Sequence, residues 1–158
     1  MGNKELDFYE VIKIMGARDP LTVATRALKF YDIETRHHAE RVSDYVFGSP
    51  LIKDLDMIEA SCIGLMHDLL EDTDYDPDKD DQSCWCFDEM IEAVRLLTKP
   101  KDMSYDDYCK KLHDGANTHV GMLAYIVKLA DMKDHLSQVD TLTPQLKEKY
   151  LSGLRYLL

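Results

Sequence analysis

Apolar side chains recur every three or four residues along most of this chain, and no stretch alternates apolar and polar positions with a period of two. The first spacing gathers apolar residues on one face of an α-helix, whereas the second is typical of a half-buried β-strand. Helix starts are marked by capping pairs such as Asp19-Pro20 and Thr143-Pro144. We therefore predict an all-α protein. Its predicted helices cover residues 4–15, 19–31, 35–47, 56–70, 87–97, a segment after Ser104, 118–136 and a segment from 143 to the end of the chain.

Length and composition are those of one folded domain. The 158 residues, 45% apolar and 31% charged, suffice to bury a core. No apolar run approaches the roughly 20 residues that cross a bilayer, and the charged first segment does not resemble a signal peptide. We predict a single domain over residues 1–158, packed as a compact helical bundle, with no membrane contact and a cytoplasmic location in which the four cysteines are thiols.

The net charge restricts the classes of partner. With 30 acidic and 19 basic residues, the chain carries a formal charge of −11 at pH 7. Such a field repels polyanions, which argues against general nucleic-acid binding. A small phosphorylated substrate stays possible if a metal ion and a few lysines reverse the sign of the charge locally.

The densest group of ionisable residues follows an apolar run at the end of the predicted helix 56–70. It reads His67-Asp68-Leu-Leu-Glu71-Asp72. Residues four apart share a helix face, so Glu71 is expected beside His67 and Asp72 beside Asp68. Enclosing acids among apolar side chains without a counter-charge is costly, and a bound cation is therefore the favoured interpretation for His67 and Asp68. For Asp72, a solvated helix end is a reasonable alternative.

Two other predicted helices direct single polar residues inward. Helical phase places His38 on the apolar face of its helix and His37 on the solvent side. Taken alone, an inward histidine is more often a core residue than a metal ligand. Asp131 lies in an apolar stretch, one turn away from both Lys128 and His135. The alternative for Asp131 is a local ion pair with one of these two neighbours.

A histidine, a later His-Asp pair and a final aspartate, each on a separate predicted helix, form a set that resembles the HD-domain metal-dependent phosphohydrolases. Within that superfamily, residues 67–72 look like the HD-x-x-ED motif of the RelA/SpoT-type hydrolases, which act on the guanosine alarmones (p)ppGpp. Residues 128–131 (KLAD) and 38–42 are similar to two further motifs of that branch. The resemblance spans about residues 25–136 and implies an HD-type helical bundle with hydrolase activity.

The resemblance also implies a role for each matching residue. The implied metal ligands are His38, His67, Asp68 and Asp131. Glu71 and Asp72 are the implied catalytic residues, which orient or deprotonate the attacking water. Lys128 and His135 are the candidate contacts to substrate. A mixed imidazole and carboxylate set suits one divalent ion, with Mn²⁺ as the first choice.

Three positions depart from the pattern of the RelA/SpoT-type branch. Residues 30–36 contain no glycine or proline, whereas that branch has a nucleotide-holding loop there. His135 stands in place of an asparagine, and Met132 stands in place of a frequent arginine.

Two hypotheses for the function therefore stay open. The first is hydrolysis of a phosphoester or pyrophosphate in a small nucleotide-like substrate, with a guanosine alarmone as the specific candidate. The second is a non-catalytic, metal-containing domain that binds a nucleotide or a partner protein. The acidic pair Glu71-Asp72 favours the first, and the pattern leaves the oligomeric state open.

Overall fold

The computed structural model describes residues 19–158, apart from the side chains of residues 54 and 55, and the predicted helix over residues 4–15 lies outside the described part. The helices are α1 (Pro20–Ala27), α2 (Ile33–Phe47), α3 (Asp54–Met66), α4 (Leu69–Asp72), α5 (Phe87–Leu96), α6 (Tyr105–Asp114), α7 (His119–Ser137) and α8 (Pro144–Leu157), with short 3₁₀ turns at Leu28–Phe30 and Pro77–Lys79. No strand occurs in residues 19–158, so the all-α prediction is confirmed.

Side-chain caps set the beginnings of most helices, as the sequence indicated. Asp19, Ser104 and Thr143 each accept a hydrogen bond from a backbone N–H in the first turn of the following helix. Helix α2 begins before the predicted residue 35, because Asp32 caps it. The Asp32 carboxylate accepts a hydrogen bond from the backbone N–H of Thr35 at 2.8 Å.

The predicted helix over residues 56–70 is wrong in one respect, since the structure divides it into α3 and α4 at His67 and Asp68. Two side chains form hydrogen bonds with carbonyl oxygens in the last turn of α3. The Nδ1 atom of His67 lies 2.6 Å from the oxygen of Gly64, and the hydroxyl of Tyr31 donates to the oxygen of Leu65 at 2.7 Å. The last carbonyls of a helix need such partners. The His-Asp pair consequently sits at a junction between two helices.

Helix α7 lies at the centre of the bundle and packs against α2, α3, α5, α6 and α8. Its middle is therefore enclosed by other helices, and Lys128, Asp131 and Asp134 are buried there beside apolar residues. The largest fully buried apolar side chains of the core come from α1, α2, α3, α4, α5, α7 and α8: Val23, Val42, Val46, Ile63, Met66, Leu69, Met90, Val94, Val127, Met132 and Leu157. Within residues 19–158, no helix combines the length and the apolar character that a membrane span requires.

Candidate metal centre

The four predicted metal ligands lie together where α2, α7 and the junction between α3 and α4 meet. The Nε2 atom of His38 is 3.0 Å from Oδ1 of Asp131 and 3.6 Å from Oδ2 of Asp68. The Nε2 atom of His67 is 3.2 Å from Oδ2 of Asp68 and 3.5 Å from Oδ1 of Asp131. Ligand atoms that share an ion at about 2.0–2.2 Å lie roughly 3–4 Å apart. These buried histidine and aspartate groups could therefore hold one metal ion.

The hydrogen bonding of His67 fits a cation in this place. A carbonyl oxygen can only accept, so Nδ1 of His67 carries the proton in its bond to Gly64. Its Nε2 atom is buried and makes no hydrogen bond to any described residue, although it faces the carboxylates of Asp68 and Asp131. A lone pair directed at two carboxylates is repelled by them. A metal ion or an added proton between these atoms removes the repulsion.

His38 is held by a carboxylate on the side away from the cluster. Its Nδ1 atom donates to Oδ2 of Asp134 at 2.6 Å. Arg41 donates to both oxygens of Asp134, at 2.7 and 3.0 Å, and outweighs burial in keeping the pKa of that carboxyl below its usual value. A histidine ligand oriented by a second carboxylate is common at metal sites, because it fixes the ring and leaves the other nitrogen free to bind.

Asp134 and Arg41 support a predicted ligand, and the sequence pattern assigned neither of them a role. Asp134 follows Asp131 by three residues and Arg41 follows His38 by three, so each lies one turn from a predicted ligand on the same helix face. Helical phase could therefore have identified them.

The pKa values within the cluster indicate how its acidic groups are compensated when no metal ion is bound. Burial lowers the pKa of His67, but the carboxylates of Asp68 and Asp131 outweigh burial and raise it well above the usual value. Burial also opposes ionisation of Asp131, and the ammonium of Lys128 and three imidazoles hold its pKa well below the usual value. In the metal-free protein, the raised pKa of the His67 imidazole therefore favours a proton that offsets the neighbouring acids. A proton and a metal ion compete for the same place.

Asp131 also makes both local ion pairs that the sequence offered as an alternative. Its Oδ2 atom accepts from Nζ of Lys128 at 2.7 Å, and its Oδ1 atom lies 3.1 Å from Nε2 of His135. Lys128 is buried, with its ammonium 5.0 and 5.2 Å from the ring centroids of Tyr105 and Tyr108. The ion pairs and the cluster thus coexist, because one carboxylate serves both.

A pocket of about 270 Å³ opens beside the cluster. Its lining contains both predicted catalytic residues, Glu71 and Asp72, which lie in α4 and are exposed. Although both residues are exposed overall, partial desolvation of their carboxyl groups and the neighbouring carboxylate of Asp68 raise the pKa of each. The lining also contains three lysines and three phenol rings: Lys99, Lys128, Lys149, Tyr105, Tyr108 and Tyr150. The pocket therefore combines carboxylates with lysines and aromatic rings.

No protein-family model matches this chain, and no curated protein matches it. The chain's function is accordingly inferred from the chemistry of the cluster and of the pocket beside it.

Helix α8 contributes a wall of the pocket that no sequence motif indicated. Lys149 is exposed, with its ammonium 4.6 Å from the ring centroid of Tyr105. The ring of Tyr150 stacks on that of His135, with centroids 4.7 Å apart and an angle of 11° between the planes. His135, a predicted substrate contact, also lies against the ring of His38, at 4.5 Å. It therefore contacts both a predicted metal ligand and the ring of Tyr150.

Proposed function

We propose that this protein is a metal-dependent phosphohydrolase of the HD type, which hydrolyses a phosphoester or pyrophosphate bond in a small nucleotide-like substrate. One observation carries the proposal: the unpartnered Nε2 atom of His67 lies in a buried His/Asp cluster that opens into a pocket lined by lysines and tyrosines. The cluster suits a cation, and the lysines and tyrosines of the pocket suit an anion. Together they suit phosphate-ester chemistry.

The residues that would hold the ion are His38, His67, Asp68 and Asp131. Two imidazoles and two carboxylates favour Mn²⁺ or a similar divalent ion. When bound, such an ion lowers the pKa of a coordinated water and polarises a phosphoryl oxygen. The chain itself fixes the two histidine rings, through Gly64 for His67 and Asp134 for His38. This prior ordering reduces the entropy lost when the site is filled.

Glu71 and Asp72 are proposed to accept and position the proton of the attacking water. Both line the pocket, as does Asp68. A raised pKa makes a carboxylate a stronger proton acceptor than an isolated one, and general-base catalysis is most effective when the pKa of the base approaches the working pH. The raised pKa values of Glu71 and Asp72 agree with this role.

The lysine and tyrosine wall is proposed to bind the phosphate groups and the base of the substrate. Lys149 is exposed to the pocket, and Lys99 lies partly buried at its edge, where its ammonium donates to the carbonyls of Pro100 and Met103. Together with a bound metal ion, these cations would offset the carboxylates of the pocket and allow an anionic substrate to bind. The phenol rings of Tyr105 and Tyr150 offer faces for a nucleobase. A guanosine alarmone is the specific candidate, because the HD-x-x-ED and KLAD motifs resemble those of alarmone hydrolases.

A phosphate-release screen over nucleotides, including (p)ppGpp, tests the proposal in the presence of Mn²⁺. The wild type is compared with Glu71→Gln, Asp72→Asn and a control, Asp74→Asn, which changes an exposed acid that follows α4. We expect Glu71→Gln to keep the metal and to lose about 10²–10⁴-fold in turnover, the usual contribution of a general base. Asp72→Asn should lose less, and Asp74→Asn should match the wild type.

Wild-type turnover in both Glu71→Gln and Asp72→Asn would contradict the proposed role of the acidic pair. The alternative of a non-catalytic binding domain makes a different prediction. It requires no phosphate release by the wild type on any nucleotide of the screen, and a ligand affinity that Glu71→Gln leaves unchanged. Calorimetric binding measurements on the same proteins therefore separate an enzyme from a binding domain.

A further inference from the structure

A second group of carboxylates and a histidine lies at the other end of α3. Its members are Asp56 and Glu59 on α3, Glu89 on α5 and His119, the first residue of α7. Glu59 precedes His67 by eight residues, which places the two about 12 Å apart along the helix axis. The two groups are therefore separate.

The side chains of this second group converge. The Nε2 atom of His119 lies 3.8 Å from Oε2 of Glu59 and 3.8 Å from Oε2 of Glu89. Asp56, Glu59 and His119 each present one oxygen or nitrogen within 4.8 Å of the other two. Distances of this size fit atoms arranged around a shared divalent ion, once allowance is made for small side-chain movements.

Glu59 supplies an independent sign that a ligand belongs here. Its residue is 2% exposed, and its Oε1 atom has no hydrogen-bond partner among the described residues. An unpaired carboxylate oxygen is costly to bury. The imidazole of His119 is half exposed and too distant from Glu59 at 3.8 Å for a hydrogen bond, and the carboxylate of Glu89 can be a partner only if the two carboxyl groups share a proton. Apart from such a shared proton, no counter-charge among the described residues lies within hydrogen-bond reach of this buried acid.

We propose that Asp56, Glu59, Glu89 and His119 form a second divalent-cation site. Three carboxylates and one imidazole suit Mn²⁺ or Zn²⁺. The side chains of His119 and Glu89 are 49% and 47% exposed, so an ion reaches the site directly from solvent. A cation here links α3, α5 and α7, three helices that pack against one another, and neutralises acids that otherwise repel one another. Its role is structural, at a distance from the catalytic pocket.

Burial and the adjacent carboxylate of Glu89 raise the pKa of Glu59 to about 8. Without an ion, the pair thus retains a proton that partly relieves the repulsion. A proton shared between Glu59 and Glu89 is therefore the competing explanation of this cluster, and it predicts no bound metal.

Metal counting on the full chain decides between these explanations. The protein is equilibrated with Mn²⁺ alone and with Zn²⁺ alone, dialysed, and its bound metal is measured by atomic emission. The variants are His119→Ala and Glu89→Gln, whose side chains are half exposed and can change without loss of the fold. Glu92→Gln, an exposed glutamate on the same helix α5, is the matched control.

We expect His119→Ala and Glu89→Gln each to lose about one ion per chain relative to the wild type with at least one of the two metals, and Glu92→Gln to lose none. The central cluster consists of His38, His67, Asp68 and Asp131. Asp131→Asn should remove the ion of this cluster and leave the ion of the second group in place, which would show that the two sites bind independently. Unchanged counts with both metals in both His119→Ala and Glu89→Gln would overturn the proposal and leave the shared proton as the explanation.

Discussion

The central cluster and the second group differ in how their imidazoles are held. In the central cluster, the rings of His38 and His67 are buried and each Nδ1 atom is bonded to a fixed acceptor, Asp134 or Gly64. In the second group, the ring of His119 is half exposed and lies 3.8 Å from its carboxylate neighbours. A ligand set whose orientation is fixed in advance loses less entropy on binding. The central cluster should therefore bind a given metal more tightly.

The two clusters also differ in how their charge is balanced. The central acids are accompanied by Lys128, which is bonded to Asp131, and by Arg41, which is bonded to Asp134. The cations are part of the fold, and each carboxylate depends on several partners at once. A change at the central cluster should therefore affect the stability of the whole bundle, whereas a change at His119 should have a local effect.

The largest effect is expected from Asp131→Ala. The substitution removes the carboxylate that belongs to the candidate metal site and also bonds to the ammonium of Lys128, and it leaves that ammonium buried without its partner. Breaking a buried ion pair on one side costs about 3–5 kcal/mol. Chemical denaturation measures the change, with Asp140→Ala, an exposed aspartate beyond α7, as the control. A loss of unfolding free energy no greater than that of Asp140→Ala would contradict the claim that Asp131 supports both Lys128 and the cluster.

A smaller effect is expected from Asp134→Asn, which sharpens the comparison because it alters only the support of a ligand. The variant keeps the size of the side chain but weakens its bonds to His38 and Arg41. Loss of such support typically lowers metal affinity by about 10–100-fold. Calorimetric titration with Mn²⁺ measures the change against Asp140→Asn. Equal affinities in the two variants would mean that the orientation of His38 does not matter for binding.

The smallest expected effect is a change in the pH dependence of stability. Burial lowers the pKa of His38 and His67, but the surrounding carboxylates outweigh burial and raise both in the metal-free protein. The folded state then binds protons more tightly than the unfolded chain. This proton binding contributes fully to the stability of the folded state below the unfolded histidine pKa of about 6.5. The contribution is lost as the pH rises through the higher pKa values that the histidines have in the folded state.

The melting temperature of the chelated protein should therefore fall as the pH rises above about 6.5. Saturating Mn²⁺ replaces those protons and binds better to neutral imidazole, so it should remove most of the fall. Thermal scans with chelator and with Mn²⁺ over the same pH series measure both curves. A metal-free curve that rises over this range would contradict the charge balance assigned to the cluster.

Local patterns account for what the sequence predicted correctly. Helix positions followed from apolar spacing and from caps such as Asp19 and Ser104, which act on neighbouring residues. Helical phase pointed His38 inward and His37 outward, and the structure buries the first and exposes the second. The resemblance to HD-type hydrolases then grouped His38 with His67, Asp68 and Asp131, which the structure brings together. The family and the activity stay predictions.

Contacts between distant segments account for what the sequence did not indicate. The break at His67 depends in part on the hydroxyl of Tyr31, which bonds to Leu65 from 34 residues away. The position of Lys149 beside Tyr105 in the pocket lining depends on how α8 packs against α6. No pattern within either helix specifies that packing. The second group joins Glu59 of α3 to His119 of α7 for the same reason.

The central claim is that the inward histidine of α2 belongs to a metal site, and the neighbouring pair His37 and His38 tests it directly. The two residues are adjacent, of one type and on one helix, but only His38 is buried against Asp131. After loading with Mn²⁺ and dialysis, His37→Ala should hold as much metal as the wild type, and His38→Ala should hold about one ion per chain less. Equal metal contents in the two folded variants would contradict the account.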